Sequence, residues 1–84
     1  GIKMPDVNTL LDMAIKEADN LFDGEEFLVK DLFKGYEWNR IPRKDRLLLG
    51  TLFLNYVNKT NNKIIAVEKT SSNQQKYKRI IHKS

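Results

Sequence analysis

Residues 40–81 read RIPRKDRLLLGTLFLNYVNKTNNKIIAVEKTSSNQQKYKRII, and they divide into a long helix followed at once by a hairpin. Pro42 suits the first helical position, where the missing N–H would have no partner in any case. The helix is expected to run to about Asn58, because Asn61-Asn62 breaks the pattern. Lys63 to Lys69 is rich in Ile and Val, and Gln75 to Ile81 alternates Tyr and Ile with basic residues. Both segments read as strands. The polar run Thr70-Ser71-Ser72-Asn73-Gln74 between them suits a tight turn. His82 to Ser84 is expected to fray.

Upstream, Leu10, Leu11, Ala14, Ile15, Ala18, Leu21 and Phe22 recur at the spacing of one helical stripe. A helix from Asn8 to Phe22 follows, with Thr9 and Asp12 as its capping box and Asp23-Gly24 as its stop. Glu26-Phe27-Leu28-Val29 reads as a short strand, and Asp31 as a cap on a brief turn through Leu32 and Phe33. Gly35 to Arg40 has no clear period and reads as a turn or a short 3₁₀ piece. The order is helix, short strand, short helix or turn, long helix and two-stranded ribbon. That order matches an α+β fold of the winged helix-turn-helix type, with the ribbon as wing and the first strand as a third member of its sheet. A generic α+β domain with helices on a three-stranded sheet is the competing layout.

Eighty-four residues suit one domain, residues 1–84, with a small core. There is no cysteine to form a disulfide or a thiolate metal site. The apolar runs are far shorter than the roughly 20 residues needed to span a bilayer. No basic-then-apolar leader pattern is present, and a cytoplasmic protein without a membrane partner is expected.

The charges are sorted along the chain. Residues 1–39 carry nine acids against four lysines, net −5, and residues 40–84 carry eleven Lys and Arg against Asp45 and Glu68, net +9. A basic half holding a helix and a hairpin is the electrostatic footprint of a nucleic-acid binder.

On the long helix, Leu48, Leu49, Leu52, Phe53 and Tyr56 share the face expected in the core. Arg43, Leu47, Gly50, Thr51, Leu54 and Asn58 point the other way. Leucines read base edges poorly, so mid-helix base readout is not expected. Leu47 and Leu54 are either covered by another segment, such as the Tyr36–Trp38 turn, or form a self-association surface. Arg40, Arg43, Lys44 and Arg46 cluster at the helix start, where free N–H groups and the helix dipole also favour phosphate. The plainer alternative is a solvated cluster partly paired through Asp45.

The ribbon is the richer candidate. Lys69, Lys76, Lys78 and Arg79 can track phosphates, while Thr70, Ser71, Ser72, Asn73, Gln74 and Gln75 can reach base edges in a groove. The alternative is a polar loop with solubilising lysines that protect a sheet edge. Tyr36 and Trp38 could stack on bases, though core closure is the commoner use of such a pair. Tyr77 lies among basic residues and is the better placed for nucleic-acid contact. Phe22, Phe27, Phe33 and Phe53 are assigned to the core by period.

No enzymatic reading gains support. His82, the single histidine, sits in the tail, and neither a calcium loop nor a phosphate-cradling glycine loop is present. No cofactor or metal is expected.

From Gly24 onward, GEEFLVKDLFKGYEWNRIPRKDRLLLGTLFLNYV and the later KTSSNQQKY resemble a family of short uncharacterised proteins from low-GC Gram-positive bacteria. Gly35-Tyr36-Glu37-Trp38 and Thr70 to Gln75 are the most specific pieces. The architecture is also similar to winged-helix accessory proteins of clostridial conjugative plasmids, which bind the origin of transfer through the wing. The charge sorting, the helix start and the ribbon lead to the expectation of a double-stranded DNA-binding protein of a bacterium or mobile element, serving plasmid transfer, as the second resemblance implies, or transcriptional regulation. A homodimer on paired half-sites and other proteins of a nucleoprotein complex are the further partners considered. The alternative is a protein-interaction module that docks through its acidic first helix and outward leucines.

Overall fold

The computed structural model describes residues 5–60 and 63–81, so the Asn61-Asn62 stop and the fraying of His82 to Ser84 lie outside the described residues. Helix α1 (Val7–Ala18) opens on Asp6, whose carboxylate accepts the Thr9 N–H at 2.9 Å. The cap therefore precedes the box expected at Thr9 and Asp12, and Thr9 is itself the third residue of the first turn. Leu10, Ala14 and Ala18 form the buried stripe, flanked by Val7, Leu11 and Ile15. The helix ends at Ala18, short of the expected Phe22. Asn20 and Leu21 instead donate to the carbonyls of Glu17 and Ala18 at 3.0 and 3.2 Å, which tightens the last turn. Leu21 still packs on the core, but Phe22 turns outward and is 75% exposed, contrary to its assignment by period.

The chain reverses at Gly24, whose φ of 87° favours glycine, and enters β1 (Glu26–Phe27). Val29–Leu32 forms a 3₁₀ turn in which the Asp31 carboxylate reaches back to the Leu28 N–H at 2.9 Å. Asp31 thus serves the turn that contains it rather than one that follows. Gly35–Arg40 is a true α-helix, α2, held by the Glu37 carboxylate on the Lys34 N–H at 3.2 Å. Six residues are too few for a period to show in sequence.

Helix α3 (Arg43–Thr60) begins one residue after Pro42, whose carbonyl accepts the Asp45 and Arg46 N–H groups at 2.9 and 3.0 Å. Its buried stripe is Leu49, Phe53 and Val57. Leu48, expected in the core, is exposed, and Leu54, expected outside with Leu47, is half-buried against the core. The covered face is thus rotated toward Gly50 and Leu54.

Strands β2 (Ile64–Lys69) and β3 (Gln75–Arg79) form the hairpin, and the antiparallel sheet has the order β1-β3-β2. Phe27 lies opposite Tyr77 and Ile64 opposite Arg79, so residues 77 and 79 share the inner face. Phe53 of α3 meets Tyr77 edge-on at 5.0 Å, and Phe27 stacks on Tyr77 at 5.7 Å. This trio joins both strands to the long helix. Tyr77 is 1% exposed and is a core residue, not the surface contact its basic neighbours suggested.

Candidate nucleic-acid interface

Between Ala66 and Lys69 the register slips, giving β2 one residue more than β3 across that interval. The Gln75 amide fills the irregularity by donating to the carbonyls of Val67 and Lys76. Beyond it the tip closes tightly: Thr70 N–H donates to Gln74 O at 2.8 Å and Asn73 N–H to Thr70 O at 2.9 Å. Asn73 takes φ 66°, the left-handed position of a three-residue hairpin loop, and Asn is among the few residues suited to it. The Thr70 hydroxyl oxygen accepts the Gln74 N–H at 3.2 Å. Thr70 and Gln75 are therefore spent on building the tip. Ser71, Ser72, Asn73 and Gln74 present exposed side chains on it.

The tip faces the first half of α3 across a cleft of about 380 Å³. One wall is Arg43, Arg46, Leu47 and Gly50 of α3 with Trp38 of α2; the other is Asn73, Gln74 and Gln75. Leu28, Val29, Lys30 and Tyr77 complete the lining. Of the residues expected to bind nucleic acid, Arg43 and Arg46 at the helix start and Asn73, Gln74 and Gln75 at the hairpin meet around one concavity, whereas Arg40, Lys44, Lys69, Thr70, Ser71 and Ser72 lie outside its lining.

They do not all contribute in the same way. Arg46 donates from Nε to Ile41 O at 2.8 Å and from Nη2 to Asn39 O at 3.2 Å, and its guanidinium lies over Trp38 at 5.6 Å. It ties the end of α2 to the start of α3. Arg40 stands over the Tyr36 ring at 5.0 Å, with Lys34 Nζ 6.0 Å from the same centroid. Tyr36 is 52% exposed and does not close the core; Trp38 is half-buried and tilted against Phe33 at 5.8 Å. Arg43 and Lys44 are exposed at the head of α3.

On the hairpin, three expected cations lie elsewhere. Arg79 points to the inner face at 5% exposure, with Nη1 3.5 Å from the Asp19 carboxylate. Lys76 lies 3.5 Å from Glu26 and 3.9 Å from Glu68 on the outer face of the sheet. Lys78 shares that outer face, opposite Glu26 and Ile65. Strand alternation accounts for both outcomes: once Tyr77 is core, 79 must face inward and 76 and 78 outward. Lys69 is exposed at the stem of the tip. Leu47 and Leu54, a candidate self-association pair, are separated by burial, with Leu47 63% exposed at the cleft.

One contributor was not singled out in sequence: Lys30 reaches the cleft lining from the 3₁₀ turn. The acids, in turn, are largely structural. Asp6, Asp23, Glu25, Asp31 and Glu37 each accept a backbone N–H, and hydrogen bonds from Thr9 hold the Asp6 carboxyl below its usual range. No helix among the described residues is long and apolar enough to cross a membrane.

A family model described as "Domain of unknown function (DUF1413)" matches residues 12–79. The chain belongs to the DUF1413 family. The match takes in most of α1 as well as the region from Gly24 onward. No curated protein matches this DUF1413 chain. It is similar to a solved structure named "SCCmec type IV LP1413 - nucleic acids binding protein", with a TM-score of 0.71 and 21% identity. That similarity covers 95% of this chain and 93% of the other, and at this identity it establishes a shared fold.

Proposed function

We propose that this DUF1413 chain is a DNA-binding protein of the winged-helix type that grips its polyanion in the cleft between α3 and the hairpin tip. The observation that carries the reading is the convergence of Arg43 and Lys30 with the Asn73 and Gln74 amides around one concavity. Cations there can hold phosphates while amides reach base edges. The sheet order β1-β3-β2, with the hairpin directly after the longest helix, supports a wing. The name of the similar structure, a nucleic acids binding protein, supports the choice of partner.

Duplex DNA is the partner favoured by a two-stranded ribbon whose tip carries exposed Asn73 and Gln74, with Lys69 at its stem. A second reading, single-stranded nucleic acid, draws on a specific observation: the outward wall of α3 presents exposed Leu47, next to Trp38, with Tyr36 displayed nearby on α2. Apolar and aromatic groups suit base faces better than phosphates. On the family resemblance we assign the chain to the cytoplasm of a bacterium or to a mobile element, as a plasmid-transfer accessory factor or a transcriptional regulator. It acts by binding rather than catalysis.

Fluorescence anisotropy with a labelled duplex and each of its single strands tests both readings. If about five cations neutralise phosphates, affinity falls ~500-fold between about 50 and 200 mM salt. A preference for the duplex supports the wing reading, and a preference for either strand supports the second. Salt-independent binding, or none, removes both.

A further inference from the structure

We propose that the same cleft receives a second copy of this chain, through the loop that carries Phe22. The inference rests on the reading above only in making nucleic acid and this loop competitors.

The segment between α1 and β1 is held firmly. Phe22 N–H donates to the Glu25 carboxylate, Gly24 N–H to Arg79 O at 2.8 Å, and Arg79 N–H to Glu25 O at 2.8 Å. The Asp23 carboxylate accepts the Ile81 N–H at 2.8 Å. The loop therefore displays a 75% exposed phenylalanine in a fixed position, with exposed Ile81 tied to the neighbouring residue. A large apolar ring presented without loss of loop entropy is an efficient interface anchor. Carboxylates flank it: Asp23 and Glu25 are exposed, and so is Asp19, which is paired with Arg79.

That chemistry is the complement of the cleft. Trp38 and exposed Leu47 offer an apolar wall, and Lys30 and Arg43 are cations on its lining, around about 380 Å³ of space. An acid-ringed phenylalanine is repelled by nucleic acid and suits a cation-rimmed apolar pocket. A symmetric Phe22-to-Phe22 contact would instead bring like carboxylates together.

The loop is bonded to Arg79 at one end of β3, whereas the cleft is lined by Gln75 at the other, about 13 Å away along the strand. Donor and receptor are distinct surfaces of the molecule. The contact is head-to-tail, and repeated copies close into a ring or extend as an open chain according to the rotation between neighbours.

Sedimentation velocity on the full chain, at low salt over a concentration series, tests the contact with two variants, Phe22→Ala and Leu47→Glu. Both positions are exposed, and circular dichroism checks that each variant folds. Wild type should self-associate and dissociate as salt is raised. Each variant alone should associate about 30-fold more weakly. Their equimolar mixture should give a discrete heterodimer, since one retains a sound cleft and the other a sound loop. A wild type that stays monomeric to millimolar concentration, or a mixture that forms no heterodimer, overturns the proposal. Excess oligonucleotide should disperse the wild-type chain. If assembly persists with oligonucleotide bound while the mixture still pairs, the head-to-tail contact stands and nucleic acid binds outside the cleft.

Discussion

Arg79 Nη1 lies 3.5 Å from the Asp19 carboxylate, linking β3 to the end of α1, yet the two partners stand in very different surroundings. The arginine is 5% exposed, its Nε is buried without a partner, and the aspartate side chain is 65% exposed. A cation desolvated against a solvent-screened acid is a poor source of stability. Arg79→Met should therefore be neutral or stabilising in urea denaturation and should leave oligonucleotide affinity unchanged. Asp19→Asn, which leaves the buried guanidinium uncompensated, should destabilise by about 1–2 kcal/mol. A large loss of affinity in Arg79→Met would restore this residue to the interface.

The cleft and the outer face of the sheet make opposite predictions for two cations of equal charge. Arg43→Ala should weaken binding and reduce the slope of log affinity against log salt by about one. Lys76→Ala removes a side chain already facing Glu26 and Glu68 and should leave that slope unchanged. Anisotropy titrations at several salt concentrations separate the two.

Asn73 combines a backbone role with an exposed amide at the cleft, and substitution can part them. Asn73→Gly keeps the left-handed conformation at φ 66° and should alter stability by only a few tenths of a kcal/mol. It should still lower oligonucleotide affinity by removing the amide. Asn73→Val adds a β-branched side chain at positive φ and should cost roughly 1–2 kcal/mol in thermal or urea unfolding. Equal affinity for Asn73→Gly and wild type would assign the residue to the turn alone.

Burial pushes the Tyr77 phenol up to about 12 from 10.0. Between these values the unfolded chain binds fewer protons at this site than the folded chain, so stability falls as pH rises. The contribution is whole below about pH 10 and is lost through about pH 12. Tyr77→Phe removes this component. The stability gap between wild type and variant should therefore shift in favour of the variant over that interval, as read from urea midpoints. A constant gap would show that the phenol ionises freely in the folded protein.

Long periodic features were legible in the chain before its structure. The stripe of α1, the extent of α3 and both hairpin strands each rest on several residues repeating at one spacing, so local pattern identifies them. The six residues of α2 offer no such repetition, and their form follows from Glu37 and the packing of Trp38 on Phe33. The short strand expected over Glu26–Val29 is confined to Glu26–Phe27, where it pairs with β3. Phe22 shows the converse failure. It continues the stripe of α1 in phase, but the helix stops at Ala18 and the period no longer applies to it.

Charge follows the same division between local pattern and tertiary placement. The sequence by itself determined that a basic half with a helix and a hairpin exists, because composition survives folding unchanged. Which of those cations stay available depended on strand parity: Tyr77 opposite Phe27 turned Arg79 into the core and sent Lys76 and Lys78 to the far face. Only the tertiary structure brought Arg43 and Asn73 to one cleft, since each strand or helix fixes the direction of its own side chains but not what lies across from them.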